Sequence, residues 1–342
     1  MTGPAIASGP PTTTPRLAAD TPPPRRRRAA LYDDLALLLL LAVLYAFFAV
    51  KADGFSSWAN IQNLLLGVSV IGTMAAVSTL VVISGMLDLS VGSAAAYAAV
   101  FTAWLNSQVH LPTAVAILLG LLLGLVIGLI NGWITEALHV PAIITTIGML
   151  SVLRGLAYLF ANGTEILVSN HFLVSLGSDS ALGLPWSVWI MLVVFAVVAV
   201  VANWTIAGRN VFAIGANSRA SLLAGLPVSR YRIALLAASG LSAALAGIVL
   251  AAQAGTANST AANGYELQVI TAVLLGGASL TGGAGKVRGT LLAILIIGVL
   301  NNGMTILAIQ SYWQTVASGA LLIVAVAVDQ GRARLRRRRA AA

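Results

Sequence analysis

The residues best placed to do chemistry are three charged side chains in apolar surroundings. Asp88 lies in SGMLDLSVGS (84–93), Arg154 in LSVLRGLAY (150–158), and Glu266 opens an apolar run. A carboxylate inside hydrocarbon is costly and often marks an ion or proton pathway. A plainer role is also open. Asp88 precedes an apolar helix, where its carboxylate can accept from the free N–H groups of the first turn and meet the positive end of the helix dipole. Glu266 starts its run in the same way, and capping suffices for both acids. Ser90 shares the Asp88 motif, and Gly85 and Gly92 beside it permit a turn or a close helix approach. Arg154 sits within an apolar run. It must face the bundle, a watery path or the headgroups, so a pathway role and snorkelling both stay open.

Other chemistries are excluded by residue type. There is no cysteine, hence no disulfide, thiolate metal site or cysteine nucleophile. His110, His139 and His171 lie far apart, without metal-ligand spacing. TGGAGKVRG (281–289) looks like a phosphate loop, but that pattern needs glycine where Leu280 stands and Ser or Thr where Val287 stands. No G-x-S-x-G elbow or H-E-x-x-H pair occurs. The expectation is a chain without catalytic residues, cofactor or nucleotide site of its own.

The elements that hold these residues are membrane spans. The chain is 59% hydrophobic and 8% charged, too little charge to cover a soluble domain of 342 residues. Its apolar residues form runs long enough to cross roughly 30 Å of hydrocarbon. They cover 31–50, 61–83, 89–109, 113–135, 141–160, 186–204, 233–252, 267–280, 289–300 and 313–328, about ten spans. The last-but-two and last-but-one are short, which suggests broken or tilted helices. The net charge of +9 collects at the ends and in a few loops, not in a basic stripe interleaved with aromatics. Nucleic acid is therefore not an expected partner; the lipid bilayer is.

Arg25–Arg28 and Arg336–Arg339 flank the terminal spans, so the positive-inside rule puts both ends in the cytoplasm. It places the Arg-bearing connection 207–232 and the pair Lys286 and Arg288 inside as well. Residues 1–30, rich in Pro and Thr before the Arg cluster, are expected to be a disordered tail. Residues 31–329 form the membrane domain, and 330–342 a basic tail. GLVIGLINGW (124–133) resembles AILIIGVLNNGM (293–304), and the LDL of 87–89 has a counterpart in YEL, 265–267. An offset of half the chain, with an odd number of spans per half, predicts an all-α polytopic protein of two pseudo-repeated halves with inverted topology. Asn131, Asn301 and Asn302 lie near span ends, where they either line a path or hold helices together.

The connection GRNVFAIGANSRASLLAGLPVSRYR (208–232) is too long for a turn and too polar to span. Ser218 can cap a short helix over Arg219, Ala220, Ser221, Leu222, Leu223 and Ala224, which Gly225 and Pro227 end. Its leucines give it an apolar face for a soluble partner or for the lipid surface.

Four ordered blocks carry a resemblance. SGMLDLSVGS resembles the SGGIDLSVGS-type signature of the ribose-type branch of ABC sugar-importer permeases. VPAIITTIGMLSVLRGLAYL (140–159), the 208–232 connection and 264–304 are similar to further blocks of that family, so the likeness runs from about Leu31 to Asp329. The resemblance implies a plasma-membrane permease subunit that pairs with a second permease subunit. An extracytoplasmic binding protein would deliver a monosaccharide or related polyol. A separate ATPase, usually with two fused nucleotide-binding halves, would dock on the helix Arg219–Ala224 and drive alternating access. Met86 and Leu87 depart from the family's Gly-Ile, which would bear on the cargo if that glycine lines the path. Two other classes remain: an ion-gradient carrier using Asp88, Glu266 or Arg154, and a membrane scaffold.

Overall fold

The structure, a computed structural model, describes residues 25–168 and 170–341; the expected tail over 1–24 lies outside them. In chain order the helices are α1 (Arg25–Lys51), α2 (Trp58–Ile83), α3 (Val91–Ser107), α4 (Thr113–Ala137), α5 (Ala142–Ala161), α6 (His171–Ser178) and α7 (Trp186–Trp204). Then come α8 (Ile206–Ala216), α9 (Ser218–Leu223), α10 (Val228–Ala254), α11 (Tyr265–Leu275), α12 (Val287–Ile306) and α13 (Ser311–Ala341). Two small antiparallel pairs complete the fold. β1 (Ile166–Leu167) joins β4 (Thr256–Ala257), and β2 (Ser180–Ala181) joins β3 (Leu184–Pro185).

Eight of these helices are long and apolar enough to cross a membrane. The 17-residue α3 and the 11-residue α11 bring the set to ten. Boundaries differ from expectation at informative places. Arg25–Ala30 belongs to α1 rather than to a tail, because Arg, Ala and Leu are strong helix formers that extend the span. The eighth run stops at Leu275. The ninth is not short: α12 continues through Asn301 and Asn302 to Ile306, 20 residues in all.

The packing repeats itself. α4 lies on α10 as α12 lies on α2, and α3 lies on α10 as α11 lies on α2. Likewise α3 packs on α4 and α5 as α11 packs on α12 and α13. The two similar sequence segments thus occupy equivalent helices, α4 and α12. With α1 and α7 added, each half holds five spans, and an odd number inverts one half relative to the other.

Bilayer lipid is as apolar as leucine, so helices associate there by close packing of small residues. α4 carries Gly120, Gly124, Gly128 and Gly132, one per turn, on the face turned to α10. A Cβ on Gly128 would overlap the Leu236 carbonyl, and one on Gly124 the Ala244 side chain. Gly240 of α10 returns the fit against the Gly124 carbonyl. Gly128→Leu should therefore force the two helices apart and cost about 1–3 kcal/mol. Thermal unfolding in detergent should show a lowered midpoint, whereas Gly148→Leu on α5, with open space around it, should leave it unchanged.

Candidate translocation site

Both halves contain a break. α2 ends at Ile83, whose carbonyl accepts from the Gly283 N–H at 2.8 Å, at the end of the bundle that holds α8 and α9. The chain reverses through Gly85, at φ +85°, and resumes as α3. α10 ends at the opposite face, where the Gly255 carbonyl accepts from Val168 at 2.9 Å and β4 pairs with β1. The chain then turns back and resumes as α11. Gly92, in the first turn of α3, packs against the Ala262 carbonyl and the Glu266 carboxylate. The two N-termini therefore meet inside the bundle. From there α3 runs about 25 Å to the β1–β4 face and α11 about 16 Å toward α9. These are half-helices placed back to back.

Two of the charged residues bond to the breaks, while the buried Glu266 Oε2 has no partner among the described residues. Asp88 is 5% exposed, and its Oδ1 accepts from the Ser90 N–H at 2.9 Å and the Ser90 hydroxyl at 2.6 Å. Asn131 Nδ2 donates to the same hydroxyl at 3.0 Å, which ties α4 to the break. Asp88 is not the expected cap. Ser90 is the N-cap residue of α3 and has no side-chain cap bond. The unwound segment sets Asp88 two residues upstream, where it closes an Asx-type turn. Glu266 differs too. It lies within the first turn of α11, behind an N-cap glycine, Gly264, in the left-handed conformation. Arg154 reaches from α5 to the second break. Its Nη1 donates to the carbonyls of Ser259 at 2.6 Å and Ala261 at 2.9 Å, and Glu266 is near enough to feel its charge. It holds backbone and does not snorkel.

A separate cavity of about 350 Å3 lies between α2, α11, α12 and α13. Asn63, Tyr265, Gln268, Asn301, Asn302, Thr305 and Gln314 supply its polar lining, with Leu64, Ile294 and Ile297 among the apolar walls. Neither Asp88, Arg154 nor Glu266 lines it. Gln268 Oε1 and Asn301 Oδ1 are buried without a hydrogen-bond partner among the described residues. The neighbouring amide behaves otherwise. Asn302 and Asn60 exchange two amide bonds, at 2.9 and 3.0 Å, and clamp α12 to α2. Both asparagines line the space, but Asn302 is held by Asn60 while Asn301 Oδ1 stays unbonded. Sequence reasoning missed Gln268 and Asn63, although an amide within an otherwise apolar run was the available signal.

The polar connection forms two helices rather than one. α8 buries Val211 and Ile214. α9 starts one residue earlier than expected, because Asn217, not Ser218, is its cap and accepts from Ala220 N–H at 3.0 Å. Gly225, at φ +84°, ends it, with the Leu226 N–H bonded to the Ser221 carbonyl at 3.0 Å. Leu222 is 62% exposed and Leu223 83%.

Residues 60–326 match the family described as branched-chain amino acid transport system, permease component. The chain belongs to that permease family. It is 43% identical to the probable ABC transporter permease protein YphD of Escherichia coli (strain K12), over 83% of this chain and 86% of the relative. The L-arabinose ABC transporter permease protein AraH of Azospirillum brasilense is 35% identical, over 86% and 87%. The ribose import permease protein RbsC of Escherichia coli (strain K12) is 37% identical, over 84% and 90%.

Within this ABC permease the sequence departures acquire places. Met86 is 5% exposed in an apolar cluster with Ile83, Phe195 and Val211, away from the cavity. The phosphate-loop look-alike is anchoring backbone: Lys286 Nζ bonds Asp34 Oδ1 of α1 at 2.8 Å, and Arg288 bonds Asp34 Oδ2 at 2.7 Å. Arg154→Gln should leave two carbonyls of the second break unbonded and cost about 1.5–3 kcal/mol, the range for hydrogen bonds to charged groups. A drop in thermal midpoint checks this; an unchanged midpoint would restore the snorkelling role.

Proposed function

We propose that this permease carries a neutral sugar, a monosaccharide or related polyol, through the α2–α11–α12–α13 cavity, driven by a separate ATPase docked on α9. The observation that carries this reading is the pair of unpartnered buried acceptors, Gln268 Oε1 and Asn301 Oδ1, in a cavity otherwise lined by amides, hydroxyls and aliphatics. Buried acceptors without donors are costly, and sugar hydroxyls or water supply donors. No charged side chain lines the space, which suits an uncharged cargo. The relatives named for ribose and arabinose support the same class.

The Arg-bearing α8–α9 connection and the Arg-rich C-terminus support a cytoplasmic α9 face, with both termini on that side. The cavity then lies in the outer half, where an extracytoplasmic binding protein delivers the sugar. The exposed leucines of α9 form the contact for the ATPase, whose nucleotide halves are fused or separate. Two permease subunits face each other across the path. ATP binding drives α9 inward and reshapes the bundle to open the cavity outward; hydrolysis resets it. A gradient-driven carrier has less support, because neither Asp88 nor Glu266 reaches the cavity and α9 would have no task.

Sugar uptake by the assembled transporter in proteoliposomes tests the path. Gln268→Leu and Asn301→Leu should each weaken apparent affinity about tenfold, one neutral hydrogen bond's worth, while basal ATP hydrolysis stays. Normal uptake in both would exclude this cavity as the path. Leu223→Pro should break α9 and uncouple ATP hydrolysis from uptake, with the membrane bundle still folded by circular dichroism.

A further inference from the structure

A groove between α7 and α10 plays no part in that reading. It is a cavity of about 520 Å3 walled by Val193, Val197 and Val201 of α7, by Ala234 and Leu241 of α10 and by Val77 of α2. Val193 and Val197 are among the exposed apolar side chains, so the groove opens sideways from the bundle. Along α10 it extends from Ala234 to Leu245. That is about 16 Å of helix, close to half of the roughly 30 Å hydrocarbon thickness and so to one leaflet. Ser242, a polar lining residue, already donates to the Ser239 carbonyl at 2.8 Å. The body of the groove thus offers only hydrocarbon contact.

Its mouth, at the α9 end, is different. The Tyr231 hydroxyl accepts from Asn210 Nδ2 at 2.7 Å, and its own proton has no acceptor among the described residues. Arg230 is exposed, one turn before Ala234 on the same stripe of α10, and makes no ion pair among the described residues. The whole stretch 206–232 carries Arg209, Arg219, Arg230 and Arg232 with no Asp or Glu. Of these Arg232 is neutralised, by Glu136 of α4 at 3.2 Å.

We propose that this groove binds one anionic phospholipid, an acyl chain lying along Val197 and Leu241 and the phosphate held by Arg230 and the Tyr231 hydroxyl. The chain length matches one leaflet, and the mouth supplies positive charge and a free donor where the headgroup falls. A zwitterionic lipid fills the same groove but gains less at the mouth. A basic side chain near the headgroup level favours anionic lipid about fivefold.

The full chain, purified in neutral detergent, is offered equal phosphatidylglycerol and phosphatidylcholine of matched acyl chains, and retained lipid is read by native mass spectrometry. Phosphatidylglycerol should be kept about fivefold over phosphatidylcholine. Arg230→Gln with Tyr231→Phe should abolish that preference, and Val197→Trp should reduce retention of both lipids. Equal retention of the two lipids by the unaltered chain overturns the proposal, as does an unchanged preference in the Arg230→Gln, Tyr231→Phe variant. Cross-linking from Val197→Cys to a second copy of the chain, in place of lipid, overturns it too. If Val197→Trp fails to fold, the surface pair at the mouth still decides.

Discussion

Everything in this bundle answers to one constraint: irregular backbone at membrane depth must be bonded within the protein. No water reaches hydrocarbon to satisfy a free N–H or carbonyl, so each unmet group costs several kcal/mol. The chain breaks its helices twice, over 84–90 and 255–264, and groups of the bundle take up backbone bonds at both. The Ser90 N–H goes to Asp88, and the Ser259 and Ala261 carbonyls go to Arg154. Ile83, at the start of the first break, has its carbonyl taken by Gly283. Such bonding also demands that helices approach closely around the breaks, and the glycine row of α4 against α10 meets that demand.

This division of labour explains where the charges lie. A guanidinium such as that of Arg154 is the strongest available partner for stranded carbonyls, since charge-assisted hydrogen bonds exceed neutral ones about twofold. The same strength would trap an uncharged polar cargo or repay it poorly for lost hydration. Amides and hydroxyls bond sugar hydroxyls and release them at similar cost to water. The cavity holds Asn63, Gln268, Asn301 and Gln314, while Asp88 and Arg154 are spent on the scaffold.

Much of this was legible in the sequence, because the bilayer writes length and apolarity directly into spans. The ten helices and the equivalence of α4 with α12 follow from run length and self-similarity, and the short helix of the polar connection was legible too, though with its cap set one residue late, at Ser218. Partnership was less legible. Asp88 before an apolar run reads as a cap, since sequence spacing does not reveal that the helix starts only at Val91. Arg154 finds its acceptors more than a hundred residues away, at Ser259 and Ala261. Asn301 and Asn302 are adjacent, chemically identical and both at the cavity, yet only Asn302 finds a partner, in Asn60, while Asn301 Oδ1 stays unbonded. Gln268, an amide in an apolar run, was a legible signal, but only the surrounding helices show that it faces a cavity.

The α8–α9 element is joined to the breaks by backbone rather than by side chains. A Cβ on Gly215 would overlap the Ile83 carbonyl, and one on Gly283 would press on Ala216 at 2.7 Å. Three chain segments, the end of α2, the end of α8 and the α11–α12 connection, therefore touch main chain to main chain. Asp34 and Asp329 hold that connection from its other sides, the latter by accepting from the Leu280 N–H at 3.2 Å. Side chains can yield to a push by changing rotamer, whereas stacked backbone moves as a block. On the proposed reading of α9 as the ATPase contact, this backbone stack links it, through the end of α8, to the ends of α2 and α11, two of the helices that wall the amide-lined cavity.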